Sequence, residues 1–306
     1  MNPLERAAQN YVALRRSLGF KLRWVPNFLA DFISFLKEQG ADHITVPLAL
    51  RWAQRNRKAK PVTVAGRLSI VRRFAHYRSA TDPRTQIPPW GLVRCRSRRV
   101  SPYLFTDEEV KLLLNAAGQM RGLHGLTYYC LLGLLSVTGL RISEALSLRD
   151  QDIDLEQGML TIVGTKFGKS RLVPIHSSTA EELVKYARER DRVFRRKLDY
   201  FFVTRGGHHF HPGPVRTVFH RLWRQIGFRA PNTSHGPRLH DFRHRFAVKR
   251  LVNWYRSGQN VDQCFHVLST YLGHRNVSDT YWYLTACPEL LGLAVKRFER
   301  HWEGSR

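Results

Sequence analysis

The sequence lacks the features of a membrane or secreted protein. No apolar run among its 306 residues approaches the roughly 20 residues that a helix needs to cross a lipid bilayer. The first ten residues, MNPLERAAQN, also lack the apolar core of a signal peptide. We therefore expect a cytoplasmic protein with no membrane partner.

Metal-binding and disulfide patterns are also missing. The four cysteines lie far apart and form no CxxC pair, which argues against both a zinc site and a disulfide framework. His208, His209 and His211 lie close together, but their spacing fits no standard ligand set and no Cys or carboxylate accompanies them. We interpret this segment as a turn before a helix, and we expect neither a metal nor another cofactor.

Acidic residues are scarce. Twenty-four Asp and Glu face fifty Lys and Arg, which leaves a formal net charge of +26. Such a charge attracts polyanions and releases their counterions on contact. Arg outnumbers Lys, and the planar guanidinium is well suited to phosphate. Nucleic acid is the partner that we expect. An anionic membrane comes second on charge alone and is weakened by the absence of a membrane-spanning run, and a basic surface kept only for solubility is the other alternative.

What the sequence does contain is periodic apolar structure in two regions. Apolar residues make up 43% of the chain and recur at helical spacing through residues 1–79. Residues 1–100 hold twenty Lys and Arg against five Asp and Glu. We predict a helical DNA-binding domain over residues 1–95, a basic linker over 96–103 and a second domain over 104–306.

The second domain has a clear start. Thr106 is the expected N-cap, Glu109 completes a capping box, and Phe105 and Val110 are placed to form a hydrophobic staple. Helices are predicted near 107–117, 125–138 and 142–148, followed by a hairpin of strands 160–163 and 171–175 and a short strand at 200–204. The predicted fold class is mainly α with a small antiparallel β-sheet.

The first polar motif is TGLRISEAL, residues 138–146. Its glycine turn delivers Arg141 to the start of a short helix, where free N–H groups and the helix dipole favour an anion. Glu144 could fix the guanidinium of Arg141 by a bidentate pair. By itself, such a pair is more often a solvated surface contact.

Two further motifs follow. In LHDFRHRFA, residues 239–247, His240 and Arg243 share one helical face and can reach one phosphate, whereas we expect a structural role for His244. In YLGHRNVSDTYWY, residues 271–283, His274 precedes Tyr283 by nine residues. Ser278 is the expected N-cap of the helix that carries Tyr281 and Tyr283.

Taken together, the motifs resemble the tyrosine recombinase family of phage integrases and Xer-type recombinases. That family orders its signature as an Arg in TGLRxSE, a hairpin Lys, HxxRH, LGH, and a Tyr nine residues after the LGH histidine. The resemblance covers about residues 103–300. It implies that the catalytic residues, in chain order, are Arg141, Lys166, His240, Arg243, His274 and Tyr283, with Glu144 in support. The loop also contains Lys169, but counting back from RLVP favours Lys166.

The resemblance also implies a mechanism and partners. Two arginines would clamp the phosphate in place of a metal ion, and a 3′-phosphotyrosyl bond would conserve the bond energy without ATP. We expect a two-domain, C-shaped clamp on double-stranded DNA in the nucleoid, a homotetramer in the synaptic complex, and accessory or sister recombinases. Two alternatives stay open: a type IB topoisomerase-like enzyme, and an inactive DNA-binding regulator of the same fold.

The last segment predicts an amphipathic helix. Its apolar stripe is formed by Leu291, Ala294, Val295, Phe298 and Trp302. Amphipathic helices usually pack within their own chain, which is one outcome. The family resemblance implies the other outcome, in which this helix docks on a neighbouring protomer.

Overall fold

The computed structural model describes residues 2–95, 102–163, 170–227, 236–274 and 276–303. The chain divides into two compact units, residues 1–100 and residues 101–306. No helix in these described ranges is long and apolar enough to cross a membrane.

The first unit is built from helices. They are α1 (Pro3–Ser17), α2 (Val25–Glu38), α3 (Val46–Gln54) and α4 (Pro61–Arg78). Each has Pro at its first or second position, where the missing N–H costs nothing. The apolar faces of the four helices meet in one core that contains Phe32, Trp52 and Phe74.

The proline-rich segment after α4 also packs on the first unit. Arg72 is buried and donates from Nε to Pro88 O at 2.6 Å and from Nη2 to Pro89 O at 2.7 Å. Leu92 and Val93 pack against the same core. The ordered part of this unit therefore extends well beyond its last helix.

The second unit is helical around a small sheet. Its helices are α5 (Asp107–Gly118), α6 (Gly122–Thr138), α7 (Ile142–Leu146), α8 (Ser177–Phe194), α9 (Pro212–Gln225), α10 (Asp241–Arg256), α11 (Val261–Leu272), α12 (Ser278–Ala286) and α13 (Pro288–Glu303). Its strands are β1 (Ile153–Asp154), β2 (Met159–Ile162) and β3 (Arg171–Pro174). The strands pair antiparallel in the order β1-β2-β3, with Leu160 opposite Val173. This confirms the predicted fold class.

The predicted helix start at Thr106 is confirmed. Its hydroxyl accepts from Glu109 N at 3.1 Å, and Glu109 Oε2 accepts from Thr106 N at 2.8 Å. The predicted strand at 200–204 is wrong. Only a single bridge forms there, between Val203 and His209, because this aromatic segment enters the core through Phe201 and Phe202 without a neighbouring strand among the described residues.

Helix α6 explains how the second unit holds its site. It is apolar on nearly every side and packs against α5, α8 and α10. A helix of that kind belongs at the centre of a core. The C-terminus of α6 and the start of α10 are therefore held close to each other. The first leads into the polar motif of residues 138–146, and the second lies in the polar motif of residues 239–247. A second apolar cluster, which includes Tyr283, joins α10 to α11, α12 and α13.

Candidate active site

Arg141 lies where α6 turns into α7. Gly139 ends α6 with φ +63°, and a Cβ at this position would come within 2.8 Å of Phe246, so both conformation and space require glycine. Arg141 is then the N-cap of α7, and its Nη2 donates to Gly273 O at 3.3 Å. Its side chain stays about one-third exposed, so it is accessible to an anion.

Glu144 is shared by two arginines. Its Oε1 accepts from Arg141 Nη1 at 2.8 Å, so the predicted contact is present. The bidentate pair, however, is made with Arg171, whose Nη1 and Nη2 lie 3.2 and 2.8 Å from the two carboxylate oxygens. Burial opposes the charge of Glu144, but the two guanidinium groups outweigh it and lower its pKa to about 2.

Arg243 is almost completely buried in the first turn of α10. Its Nη1 donates to Gly139 O at 3.0 Å and its Nη2 to Leu272 O. It therefore joins the turn at residues 138–141, the TGLR turn, to the turn at residues 271–274, the LGH turn. Burial and the charge of Arg141 lower its pKa to about 10, which still leaves it charged at neutral pH.

His240 and His244 stand one turn apart at the start of α10. Their rings meet edge to face at 4.8 Å. Burial and the charge of Arg243 lower the pKa of His240, so the imidazole is neutral near pH 7 and can accept a proton. His244 is buried against Tyr283 and Trp282, and its Nδ1 has no hydrogen-bond partner among the described residues.

His274 follows Gly273 at the end of α11. Its Nδ1 lies 2.8 Å from Thr280 Oγ1, a buried hydroxyl on α12 that sequence analysis did not single out. Burial and the charges of Arg243 and Arg141 lower its pKa to about 4. With Nδ1 held by Thr280, Nε2 is the nitrogen left for a ligand. The predicted N-cap at Ser278 is one residue late, since Val277 is the cap and makes no side-chain cap bond.

The two tyrosines of α12 face opposite ways. Tyr283 is 2% exposed and hydrogen-bonded to Arg243, whereas Tyr281 is 45% exposed and stacks on Phe265. Burial raises the pKa of Tyr283 even though Arg243 and Arg141 favour its phenolate. The phenol is therefore protonated at neutral pH and needs a base before it can attack.

The structure brings five of the six predicted catalytic residues into one cluster, with Glu144 beside them. The sixth, Lys166, lies outside the described residues, as does its alternative Lys169. The arginines in and around the cluster outnumber the carboxylates by four to three, since Arg141, Arg171, Arg238 and Arg243 face Glu144, Asp241 and Asp279. The excess positive charge suits a phosphodiester anion. Within the described ranges, no group of three His, Cys, Asp or Glu is placed to hold a metal ion.

Comparison with known proteins identifies the family of this chain. The profile of the phage integrase family matches residues 104–289. A Sinorhizobium fredii protein described as integrase/recombinase y4rB is 48% identical over 311 residues, which cover 99% of each chain. The chain belongs to the phage integrase family.

Two further comparisons extend this family assignment. The tyrosine recombinase XerC of Staphylococcus saprophyticus is 27% identical over 236 residues, covering 77% of this chain and 75% of XerC. The Tn1549 transposon integrase, solved with transposon right end DNA, shares the fold at a TM-score of 0.69 and 17% identity, covering 96% and 98% of the two chains. The resemblance to tyrosine recombinases is thereby confirmed, and this member of the phage integrase family is a site-specific recombinase.

Proposed function

We propose that this protein cleaves and rejoins double-stranded DNA through a 3′-phosphotyrosyl bond formed at Tyr283. The observation that carries the proposal is the meeting of the Tyr283 phenol with the guanidinium groups of Arg141 and Arg243 and the imidazoles of His240 and His274 in a single site. No high-energy cofactor is needed, because the phosphotyrosyl bond conserves the energy of the bond that was broken.

Arg141 and Arg243 would bind the nonbridging oxygens of the scissile phosphate. A transferring phosphoryl group spreads negative charge over those oxygens, and fixed guanidinium groups stabilise that charge without reorganisation. Both arginines are anchored to backbone carbonyls of the LGH turn. Arg243 and Tyr283 are nearly inaccessible, so we propose that the chain around them moves before a DNA phosphate reaches them.

His240 is the proposed general base for Tyr283. Its pKa is lowered, so the neutral form predominates at pH 7 and can take the phenolic proton as the oxygen attacks phosphorus. His274 would donate from Nε2 to a nonbridging oxygen, since Thr280 occupies Nδ1. Lys166 would give a proton to the departing 5′ oxygen. A 5′ hydroxyl of a second strand then reverses these steps.

The helical, basic unit of residues 1–100 would bind the DNA backbone, as the core-binding domain of residues 1–95 with a linker over 96–103. The structure of the Tn1549 transposon integrase contains transposon DNA, which supports a DNA partner here. Association with the nucleoid follows from that partner.

Strand exchange between two duplexes requires more than one active site. We therefore propose that four copies of this chain assemble on two DNA sites in the synaptic complex. Sister or accessory recombinases are further proposed partners of this complex. The exposed apolar side chains of α13 support such a protein contact.

The test of the function uses a nicked suicide substrate, which traps the covalent intermediate. Tyr283→Phe removes one oxygen and keeps the ring packing, so DNA binding should persist and covalent trapping should disappear. Tyr281→Phe is the matched control, because Tyr281 faces away from the arginines, and it should trap DNA at close to the wild-type rate.

Each rival function gives a different result. A regulator of the same fold would bind one DNA site and never yield a covalent complex, even with wild-type protein. A topoisomerase would relax supercoils as a monomer without site preference. Loss of trapping in Tyr281→Phe rather than in Tyr283→Phe would show that the nucleophile has been misassigned.

A further inference from the structure

Arg171, the first residue of β3, lies at the centre of the hydrogen bonds beneath the site. Its side chain is about 10% exposed. The Nε group donates to Tyr271 O at 2.7 Å, and the two Nη groups make the bidentate pair with Glu144. These partners are 100 and 27 residues away in sequence. A single side chain therefore connects three separate segments of the second unit, residues 101–306, which is called the catalytic unit below.

Gly273 shows how tightly this guanidinium is enclosed. The residue has φ +65°, and a Cβ added there would lie 2.9 Å from Arg171 Nη1 and 3.2 Å from Cζ. The positive φ favours glycine before His274, and the Arg171 guanidinium fills the space beside it. Gly273 O in turn accepts from Arg141 Nη2. The contacts close a ring that runs from Arg141 through Glu144 and Arg171 to the LGH turn and back.

The ring also sets the charge at the site. If Arg141 were the only partner of Glu144, the carboxylate would neutralise the positive charge of the Arg141 guanidinium. The pair would then offer no net attraction to an approaching phosphate. Arg171 supplies a second positive charge and takes both carboxylate oxygens in the stronger, forked geometry. The Arg141 guanidinium makes a single hydrogen bond to Glu144, from Nη1, and the Arg141 backbone N–H donates to the other carboxylate oxygen at 3.0 Å.

We propose that Arg171 is a positioning residue that takes up the charge of Glu144, so that the Arg141 guanidinium is held in place with its own charge available to the scissile phosphate. This inference rests on the proposed function. It differs from a contact with DNA, because Arg171 acts through Glu144 and the backbone of the LGH turn.

The experiment measures single-turnover cleavage of the suicide substrate by full-length variants at a temperature where circular dichroism shows each of them folded. Arg171→Gln should bind DNA like wild type and cleave it about 100-fold more slowly, the scale of a small misplacement in an active site. Arg171→Lys keeps the positive charge and loses the bidentate geometry, so its cleavage rate should lie between those of wild type and Arg171→Gln.

Arg190 provides a matched control in the same unit. It is also buried, makes a bidentate pair with Asp150 at 2.7 and 3.0 Å, and donates to Phe201 O at 3.1 Å. None of its partners belongs to the site. Arg190→Gln should destabilise the fold comparably and leave the cleavage rate of folded protein unchanged. Equal losses of cleavage in Arg171→Gln and Arg190→Gln would overturn the proposal, because they would reveal a purely structural role.

Two modified substrates separate charge from proton transfer. A methylphosphonate at the scissile position carries no negative charge, so the deficit of Arg171→Gln relative to wild type should shrink there. A 5′-bridging phosphorothiolate needs no proton to leave, so it should rescue Lys166→Ala and not Arg171→Gln. Rescue of Arg171→Gln by the phosphorothiolate would overturn the proposal, because it would show that Arg171 supports proton transfer to the leaving oxygen by Lys166.

The two hypotheses fail in distinguishable ways. Wild-type protein that traps no covalent complex would refute the proposed function itself. Wild-type protein that traps DNA, with Arg171→Gln cleaving at the same rate, would refute only the role of Arg171.

Discussion

At the scale of single residues, the site keeps its histidines neutral by burying them beside arginines. His240, His244 and His274 all have lowered pKa values, and burial is the largest cause in each case. Neutral imidazoles suit a site that must accept a proton and bind an anion at neutral pH. Protonation of these groups, however, favours the unfolded chain, so their burial has a consequence for stability.

His244 gives the clearest case, because burial lowers its pKa from 6.5 to about 3. Between these two values the unfolded state binds the proton and the folded state does not. Stability is therefore present above pH 6.5 and is lost as the pH falls towards the folded pKa. Relative to His244→Asn, the wild type should lose at most about 1.4 kcal/mol of unfolding free energy per pH unit below 6.5.

The measurement is urea unfolding of wild type and variant between pH 7.5 and 4.5. His266→Asn is the control for the substitution itself, because His266 is an exposed residue of α11. Parallel curves for wild type and His244→Asn over this range would contradict the assignment of a buried neutral imidazole.

Sequence reasoning identified the residues that form local motifs and missed those that act across the fold. Arg141, Glu144, His240 and Arg243 were found because glycine turns, helical spacing and motif order are local features. Arg171 was missed because its partners are brought near it only by folding. No acidic residue lies close to Arg171 in the sequence, so nothing in its local pattern pointed to a role in the site.

At the scale of elements, α13 forms as predicted, and its start has one buried face and one exposed apolar face. Leu290 is fully buried against the cluster around α10, and Glu289 pairs with Arg256. Leu291 and Val295, which belong to the predicted stripe, are 53% and 49% exposed. The start of the helix thus packs on its own chain with one face and leaves Leu291 and Val295 exposed.

The second face of α13 leads to a prediction about assembly. Leu291→Glu and Val295→Glu, made singly, should leave the fold and single-site binding intact, because both side chains are exposed. If the stripe docks on a neighbouring protomer, each change should weaken the paired-site complex about tenfold or more, the loss expected for a residue central to an interface. Gel shifts with one and two sites measure both quantities.

Val193→Glu is the control for this prediction. Val193 is 51% exposed near the end of α8, so it tests the addition of the same charge at an equally exposed apolar residue elsewhere. Normal paired-site complexes from both α13 variants would contradict docking through this stripe. Deleting the whole helix is a weaker experiment, because it would also remove Leu290 from the core.

The element boundaries show where pattern reasoning is reliable. The capping box at Thr106 and the hairpin were predicted from patterns that are local in the sequence. The strand expected at 200–204 failed because its aromatic residues enter the core without a pairing partner, and aromatic content alone does not supply one. The cap at Ser278 failed by one residue, since the helix begins without a side-chain cap.

At the scale of the whole molecule, charge is distributed unevenly. Residues 1–100 hold about a third of the chain and carry twenty basic against five acidic residues, which is more than half of the net charge of +26. The two units have separate apolar cores, one from residues 4–93 and the others from residues 104–293. A protein that begins at residue 101 therefore retains the cores of the catalytic unit and can be compared with the full chain.

The last prediction uses the salt dependence of DNA binding to locate the phosphate contacts. Each phosphate neutralised by the protein contributes a slope of about −0.9 in a plot of log K against log salt, and a protein with 6–10 contacts loses roughly 10³–10⁵ in affinity between 50 and 200 mM salt. If residues 1–100 supply most of these contacts, the protein of residues 101–306 should bind more weakly at low salt and with a clearly shallower slope. Fluorescence anisotropy with a labelled duplex gives both slopes, and circular dichroism verifies that the shorter protein is folded. Equal slopes for the two proteins would show that the catalytic unit makes the phosphate contacts, and that the charge of the first unit has another use.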